Sequence, residues 1–111
     1  EARRAFDNIA NRDIVAWNTM ISGYVQNGVG EEAIELYCQM PLQGFIPNNI
    51  TYASILKAVA ILEDGVLCKY LHPLVIKSGF LSDVYVGTAL VDAYAKSLLL
   101  EDAEKADTEM R

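Results

Sequence analysis

Apolar residues recur along this chain with the spacing of helices. Trp17, Met20, Ile21, Tyr24 and Val25 fall at i, i+3, i+4, i+7 and i+8, which predicts one buried helix face. Asn27-Gly28 interrupts the pattern. A second face follows in Ala33, Ile34, Leu36, Tyr37 and Met40, opened by Glu31-Glu32, whose charge suits a helix N-terminus. Gln43-Gly44 ends this helix, and Pro47 prevents its continuation. Ile14 to Asn48 therefore reads as two helices and a closing turn.

The same unit recurs. Shifting the sequence by 35 residues lays Gly30 on Gly65, Leu36 on Leu71, Gly44-Phe45 on Gly79-Phe80 and Trp17 on Tyr52. A shift of 70 lays Tyr24 on Tyr94, Met20 on Leu90, Ile21 on Val91 and Glu31-Glu32-Ala33 on Glu101-Asp102-Ala103. The opening residues match the end of a unit. This register divides the chain into a terminal helix over 1–13, full units over 14–48 and 49–83, and a truncated unit over 84–111. It predicts an all-α helical-hairpin solenoid of about seven antiparallel helices, each hairpin burying its apolar face against the next.

Two prolines disturb the pattern. Pro41 is expected to close its helix about one turn early. Pro73 lies inside KYLHPLVIKSG, where a proline costs ~3 kcal/mol or more unless the helix kinks, so a kink or two short pieces are expected within Glu63 to Ser78.

Composition narrows the functional classes. A hydrophobic fraction of 52% over 111 residues supplies a packed core. No apolar run reaches the ~18 residues a membrane helix needs, so no span is expected. The net charge of −6 counts against strong nonspecific phosphate binding. Cys38 and Cys68 lack a CxxC arrangement and read as small core residues in a reducing compartment. The chain opens at Glu1 in mid-pattern and reads as a piece of something longer, with any targeting peptide outside it.

WNTMISGYVQNG, EEAIELYCQM and GFIPN, followed by VIKSGF and DVYVGTALVDAYAKS, resemble the pentatricopeptide repeat proteins of plants across the whole chain. The pattern looks like the subclass that cycles through short, standard and long repeat types. On that resemblance 1–13 ends a short-type repeat, 14–48 is standard, 49–83 is the long variant, and 84–111 is a truncated short type. The tetratricopeptide repeat is the nearest rival. It has a shorter period and needs a small residue where this chain has Ile21, Leu56 and Val91. The chain departs from the resembled pattern at Leu98, where glycine is usual, and at Ala106-Asp107-Thr108, so the final helix is expected to pack less well.

The resemblance implies a right-handed superhelix that reads single-stranded RNA one base per repeat. The fifth residue of each repeat works with the last, while the second packs against neighbouring bases. Carried over, the standard repeat offers Asn18 with Asn48 and Val15 as packing residue, a pair that resembles a reader of cytosine first and uracil second. The long variant offers Ala53 with Asp83 and Ile50; an alanine has no hydrogen-bonding group, so little direct readout is expected there. The truncated repeat offers Thr88, leaning toward a purine, with Tyr85 beside it. Asp13 closes a repeat whose fifth residue is missing. Lys96 matches a position often basic in the family and is the candidate phosphate contact, with Gln26 and Ile61 as its counterparts. Asn18, Asn48 and Asp83 also suit turns and helix caps, which points to a dual role. Trp17, Tyr24, Tyr52 and Tyr94 stand at core spacing and read as packing groups.

Further expectations follow from the resemblance. The parent protein is an organellar RNA-processing or RNA-editing factor of mitochondrion or chloroplast. The alternative is a protein-interaction module in which an exposed apolar stretch from Ala58 to Leu62 receives an editing-complex partner. The incomplete ends predict self-association of the isolated chain, end to end or by exchange of the terminal helix. Nothing points to an enzyme or a cofactor: His72 is the only histidine, no CxxC accompanies it, and no glycine-rich phosphate loop is present.

Overall fold

The computed structural model of the chain describes residues 13–109, and their side chains as far as Ser97. The helix expected over 1–13 lies outside this range except for Asp13, and the packing expected of Ala106-Asp107-Thr108 lies beyond the described side chains. Five α-helices follow in order: α1 (Ile14–Gln26), α2 (Gly30–Gln39), α3 (Asn49–Leu62), α4 (Gly65–Ser78) and α5 (Val84–Glu109). A 3-10 turn, Pro41–Gln43, follows α2, so the chain leaves the α-helix just before Pro41. The described residues are all-helical, without strands.

The helix starts recur with the sequence period. Asp13, Asn48 and Asp83 are each the residue before the first helix of a unit (α1, α3 and α5), and each side chain accepts a backbone N–H three residues on: Ala16 at 3.0 Å, Thr51 at 3.1 Å and Val86 at 3.1 Å. Such caps satisfy a donor that the first helical turn leaves open. The aromatic packing recurs with the same offset. Trp17 meets Phe45 with ring centroids 5.7 Å apart, and 35 residues later Tyr52 meets Phe80 at 6.0 Å.

Helix α3 is the hub, packed against α1, α2, α4 and α5. It therefore buries most of its circumference, including Tyr52, Ala53, Ile55, Leu56, Ala58, Val59 and Ala60. This explains why NITYASILKAVAIL reads as a nearly continuous apolar run. The start of α2 comes in closely: a Cβ on Gly30 would stand 3.1 Å from the Ala58 carbonyl oxygen, a distance only glycine accommodates without a shift. Burial of Ala58, Val59 and Ala60 also removes the expected apolar groove from Ala58 to Leu62; in that stretch Ile61 alone is exposed.

Two expectations are corrected. Helix α4 starts at Gly65, not Glu63, and runs through Pro73 to Ser78 as one helix rather than two short pieces. Pro73 is on the exposed side, and the neighbouring Leu71 and Val75 are fully buried, so core packing holds the helix across the missing backbone bond. The seven-helix count is also not supported, because the third unit makes no hairpin. The earlier hairpins turn at Gly28, with φ 75°, and at Glu63, with φ 53°. The residue 35 positions beyond Glu63 is Leu98, for which the left-handed region costs roughly 1–2 kcal/mol. No glycine or proline follows Gly87, and α5 continues for 26 residues, about 39 Å.

That continuation leaves one face of α5 open. Val86, Ala89, Leu90 and Ala93 are buried against the preceding helices. Val91 is 70% exposed, although its counterparts Ile21 and Leu56 are fully buried.

Candidate nucleic-acid interface

The second residues of three successive units share one property. Val15 is 66% exposed, Ile50 54% and Tyr85 75%, each in the first turn of its helix. Between these apolar steps lie polar groups held by the helix caps.

In the first interval, Asn18 Nδ2 donates to Asn48 Oδ1 at 3.1 Å. Thr51 organises the pair. Its hydroxyl donates to Asn18 Oδ1 at 2.6 Å and accepts the Asn48 N–H at 3.1 Å, while its own N–H donates to Asn48 Oδ1 at 3.1 Å. A hydroxyl has one proton, and the shorter contact to Asn18 takes it in preference to Asn48 Oδ1, 3.0 Å away. Asn18 is only 6% exposed and Thr51 is fully buried, so these bonds fix the amide orientation away from competing water. Asn48 thus caps α3 and pairs with Asn18 at once. A Ser22–Ser54 hydroxyl contact of 3.0 Å continues the polar seam between α1 and α3.

The second interval is built differently. Ala53 is 8% exposed and offers no polar atom. Asp83 is met instead by Asn49, one turn earlier on α3, whose Nδ2 donates to Asp83 Oδ2 at 2.9 Å. The other carboxylate oxygen accepts the N–H groups of Tyr85 and Val86 at 2.9 and 3.1 Å. The Asn49 bond, followed by the backbone donors, holds the Asp83 carboxyl below its ordinary value, so it stays ionised well into acid. Beside this pair lies a cleft of about 220 Å³ lined by Asn49, Ile50, Ala53, Ser54, Lys57 and Tyr85. Its one cation, Lys57, is exposed.

The remaining candidates are placed as follows. Thr88 is exposed on the open face of α5. Asp13 caps α1 and is exposed. Lys96 stands 3.6 Å from Asp92 in an i,i+4 pair, both side chains about half exposed, an arrangement that contributes only a few tenths of a kcal/mol. Trp17 and Tyr52 are buried, and Tyr24 and Tyr94 are half-buried in the core. His72 Nδ1 lies 2.9 Å from the Tyr94 hydroxyl and ties α4 to α5. Asn49, Thr51 and Lys57 were not singled out from sequence. The signal was available in part, because Asn49, Ala53 and Lys57 are spaced by four along α3 and so share a side of it.

A larger cleft of about 420 Å³ lies between α2 and α4, lined by Ile34, Tyr37, Tyr70 and Leu74 among other uncharged groups. It carries no charge to meet a phosphate. Among the described residues no cluster suits a metal ion, and no helix is long and apolar enough to cross a membrane.

Comparison with known proteins agrees with this arrangement. A family model described as the PPR repeat family matches residues 12–60. A pentatricopeptide repeat-containing protein of Arabidopsis thaliana is 46% identical over 102 residues, covering 92% of the chain and 14% of the relative. The matches support a plant pentatricopeptide repeat module. A second such protein of the same plant, designated chloroplastic, is 43% identical over 105 residues, 95% of the chain and 13% of the relative. A third, designated mitochondrial, is 40% identical over 104 residues, 94% of the chain and 16% of the relative. The chain thus spans less than a fifth of the length of these relatives. Modules of this kind are in general RNA-binding.

Proposed function

We propose that this chain is a sequence-specific single-stranded RNA-binding module that reads one base per repeat within an organellar RNA-processing or RNA-editing factor. The observation that carries the reading is the Asn18–Asn48 pair, joined at 3.1 Å between the exposed side chains of Val15 and Ile50. A base inserted between two such steps would meet fixed amide groups at its edge, and each amide keeps hydrogen-bonding capacity beyond the bonds it makes internally. In this reading the repeats run over 14–48 and 49–83 with partial repeats at either end, and they alternate among standard, long and short types. The pair at Asn18 and Asn48 prefers cytosine, then uracil; Thr88 leans toward a purine; Val15, Ile50 and Tyr85 pack against bases. Mitochondrial and chloroplastic designations among the relatives support an organellar setting.

Titration of the ¹⁵N-labelled chain with short homopolymeric RNAs, followed through the Asn18 and Asn48 side-chain amides, tests this reading and detects weak binding. Larger shifts are expected with cytosine and uracil than with purines, and Asn18→Thr is expected to move the preference toward purines. Absence of any RNA-dependent shift at both amides would overturn the proposal.

The open face of α5 supports a second element of the same reading. The isolated chain self-associates there, because a surface that is buried at Ile21 and Leu56 in the preceding units is uncovered at Val91. No such support exists for the alternative of a protein partner seated on 58–62, since most of that stretch is interior.

A further inference from the structure

The long-variant unit has an alanine where a base-reading side chain is expected, yet the structure does not leave the interval apolar. Asn49 occupies the place next to Asp83 that Asn18 occupies next to Asn48. Its amide lies 2.9 Å from the carboxylate, against 3.1 Å for the first pair. It reaches from one turn earlier on the helix, and the small Ala53 side chain between them leaves the cleft that Ile50, Lys57 and Tyr85 border.

We infer that Asn49, with Asp83, forms a second base-specific subsite in this chain, one that takes guanine. The inference rests on the RNA-binding reading above and deepens it. The hydrogen-bonding pattern carries the choice of base. Asp83 is ionised and accepts only, with Oδ1 already engaged by two backbone donors and Oδ2 by one amide proton. The Asn49 amide has a second Nδ2 proton beyond the one given to Asp83. The subsite therefore presents a donor beside the one lone-pair position left open on Asp83 Oδ2. Guanine meets it with a carbonyl acceptor next to an N–H donor, and its second N–H donor then faces the carboxylate. Uracil sets a second carbonyl oxygen against the carboxylate, and cytosine and adenine place a ring-nitrogen lone pair at the centre of the edge. Tyr85 supplies an exposed aromatic ring for stacking, which every base accepts, so it adds affinity without choosing. Lys57, at the border of the same cleft, is placed for the adjoining phosphate and likewise adds affinity without choosing.

The experiment uses the whole chain, ¹⁵N-labelled, titrated with oligoguanylate, oligouridylate, oligocytidylate and oligoadenylate of three nucleotides. The expected result is a shift of the Asn49 side-chain amide, with guanylate bound about tenfold tighter than uridylate at that resonance. Asn49→Leu is expected to reduce this preference to within twofold while the Asn18 and Asn48 amides respond as before, which also shows the variant is folded. Lys57→Gln is expected to weaken all four oligonucleotides alike and to lower the salt dependence. Shifts at Asn18 and Asn48 with none at Asn49, or a guanine preference that survives Asn49→Leu, would overturn the inference and leave the RNA-binding reading standing. Silence at all three amides would overturn both.

Discussion

Thr51 is the side chain on which the Asn18–Asn48 pair depends, and Thr51→Val isolates that dependence. Valine keeps the shape and removes the hydroxyl. Two groups then lose a partner. Asn18 Oδ1, on a residue only 6% exposed, loses a 2.6 Å donor that water replaces poorly, which costs about 1–3 kcal/mol. The half-buried Asn48 N–H loses its acceptor at 3.1 Å, a net loss of about 0.5–1 kcal/mol because solvent partly replaces it. The N-cap itself survives, since the Thr51 N–H still reaches Asn48 Oδ1. The expected destabilisation is about 2–3 kcal/mol, which for a domain of this size lowers Tm by roughly 10–15 °C. Urea unfolding followed by circular dichroism measures it. Thr51→Ser is the control: it retains the hydroxyl and loses one buried methyl, about 1 kcal/mol. A double-mutant cycle with Asn18→Leu should return a coupling of about 1–2 kcal/mol. If Thr51→Val unfolds within about 0.5 kcal/mol of the natural chain, or Thr51→Ser loses as much as valine does, the hydroxyl does not hold the pair and the reasoning fails.

Two other outcomes follow from the geometry. The Asp83 carboxyl titrates below its ordinary 3.8 in the folded chain, so its contribution to stability is complete above that value and disappears as pH falls through the folded value. Acid unfolding of Asp83→Asn, which keeps a capping side chain without the titration, should show a shallower loss of stability below pH 3.8 than the natural chain; identical acid profiles would refute the assignment. Leu98→Gly removes a cost of roughly 1–2 kcal/mol for the hairpin conformation and weakens the continuous helix by about 1 kcal/mol, a combined swing of about 2–3 kcal/mol toward a turn like those at Gly28 and Glu63. Light scattering should find the natural chain heavier than its 12.3 kDa monomer at high concentration and Leu98→Gly shifted toward the monomer. A single 12.3 kDa species for both would remove the self-association proposal.

Much of this molecule is local, and local structure is legible in sequence. The helical spacing and the Asp13, Asn48 and Asp83 cap positions each depend on residues within a few positions of one another, and the 35-residue period is the recurrence of those local patterns. The failed hairpin was legible too: Leu98 stands where the other units place residues with positive φ, but the strength of the period led to the opposite expectation. Pro73 shows the converse, a local breaker overridden by the burial of Leu71 and Val75. Tertiary structure alone decided which faces are covered and which distant polar groups meet. Ile21, Leu56 and Val91 are equivalent by period, and only the packing around each separates a buried residue from an exposed one. The partnership of Asn49 with Asp83, 34 residues apart, is of the same kind, because a hydrogen bond between helices depends on how two hairpins stack and leaves no trace in the spacing of either.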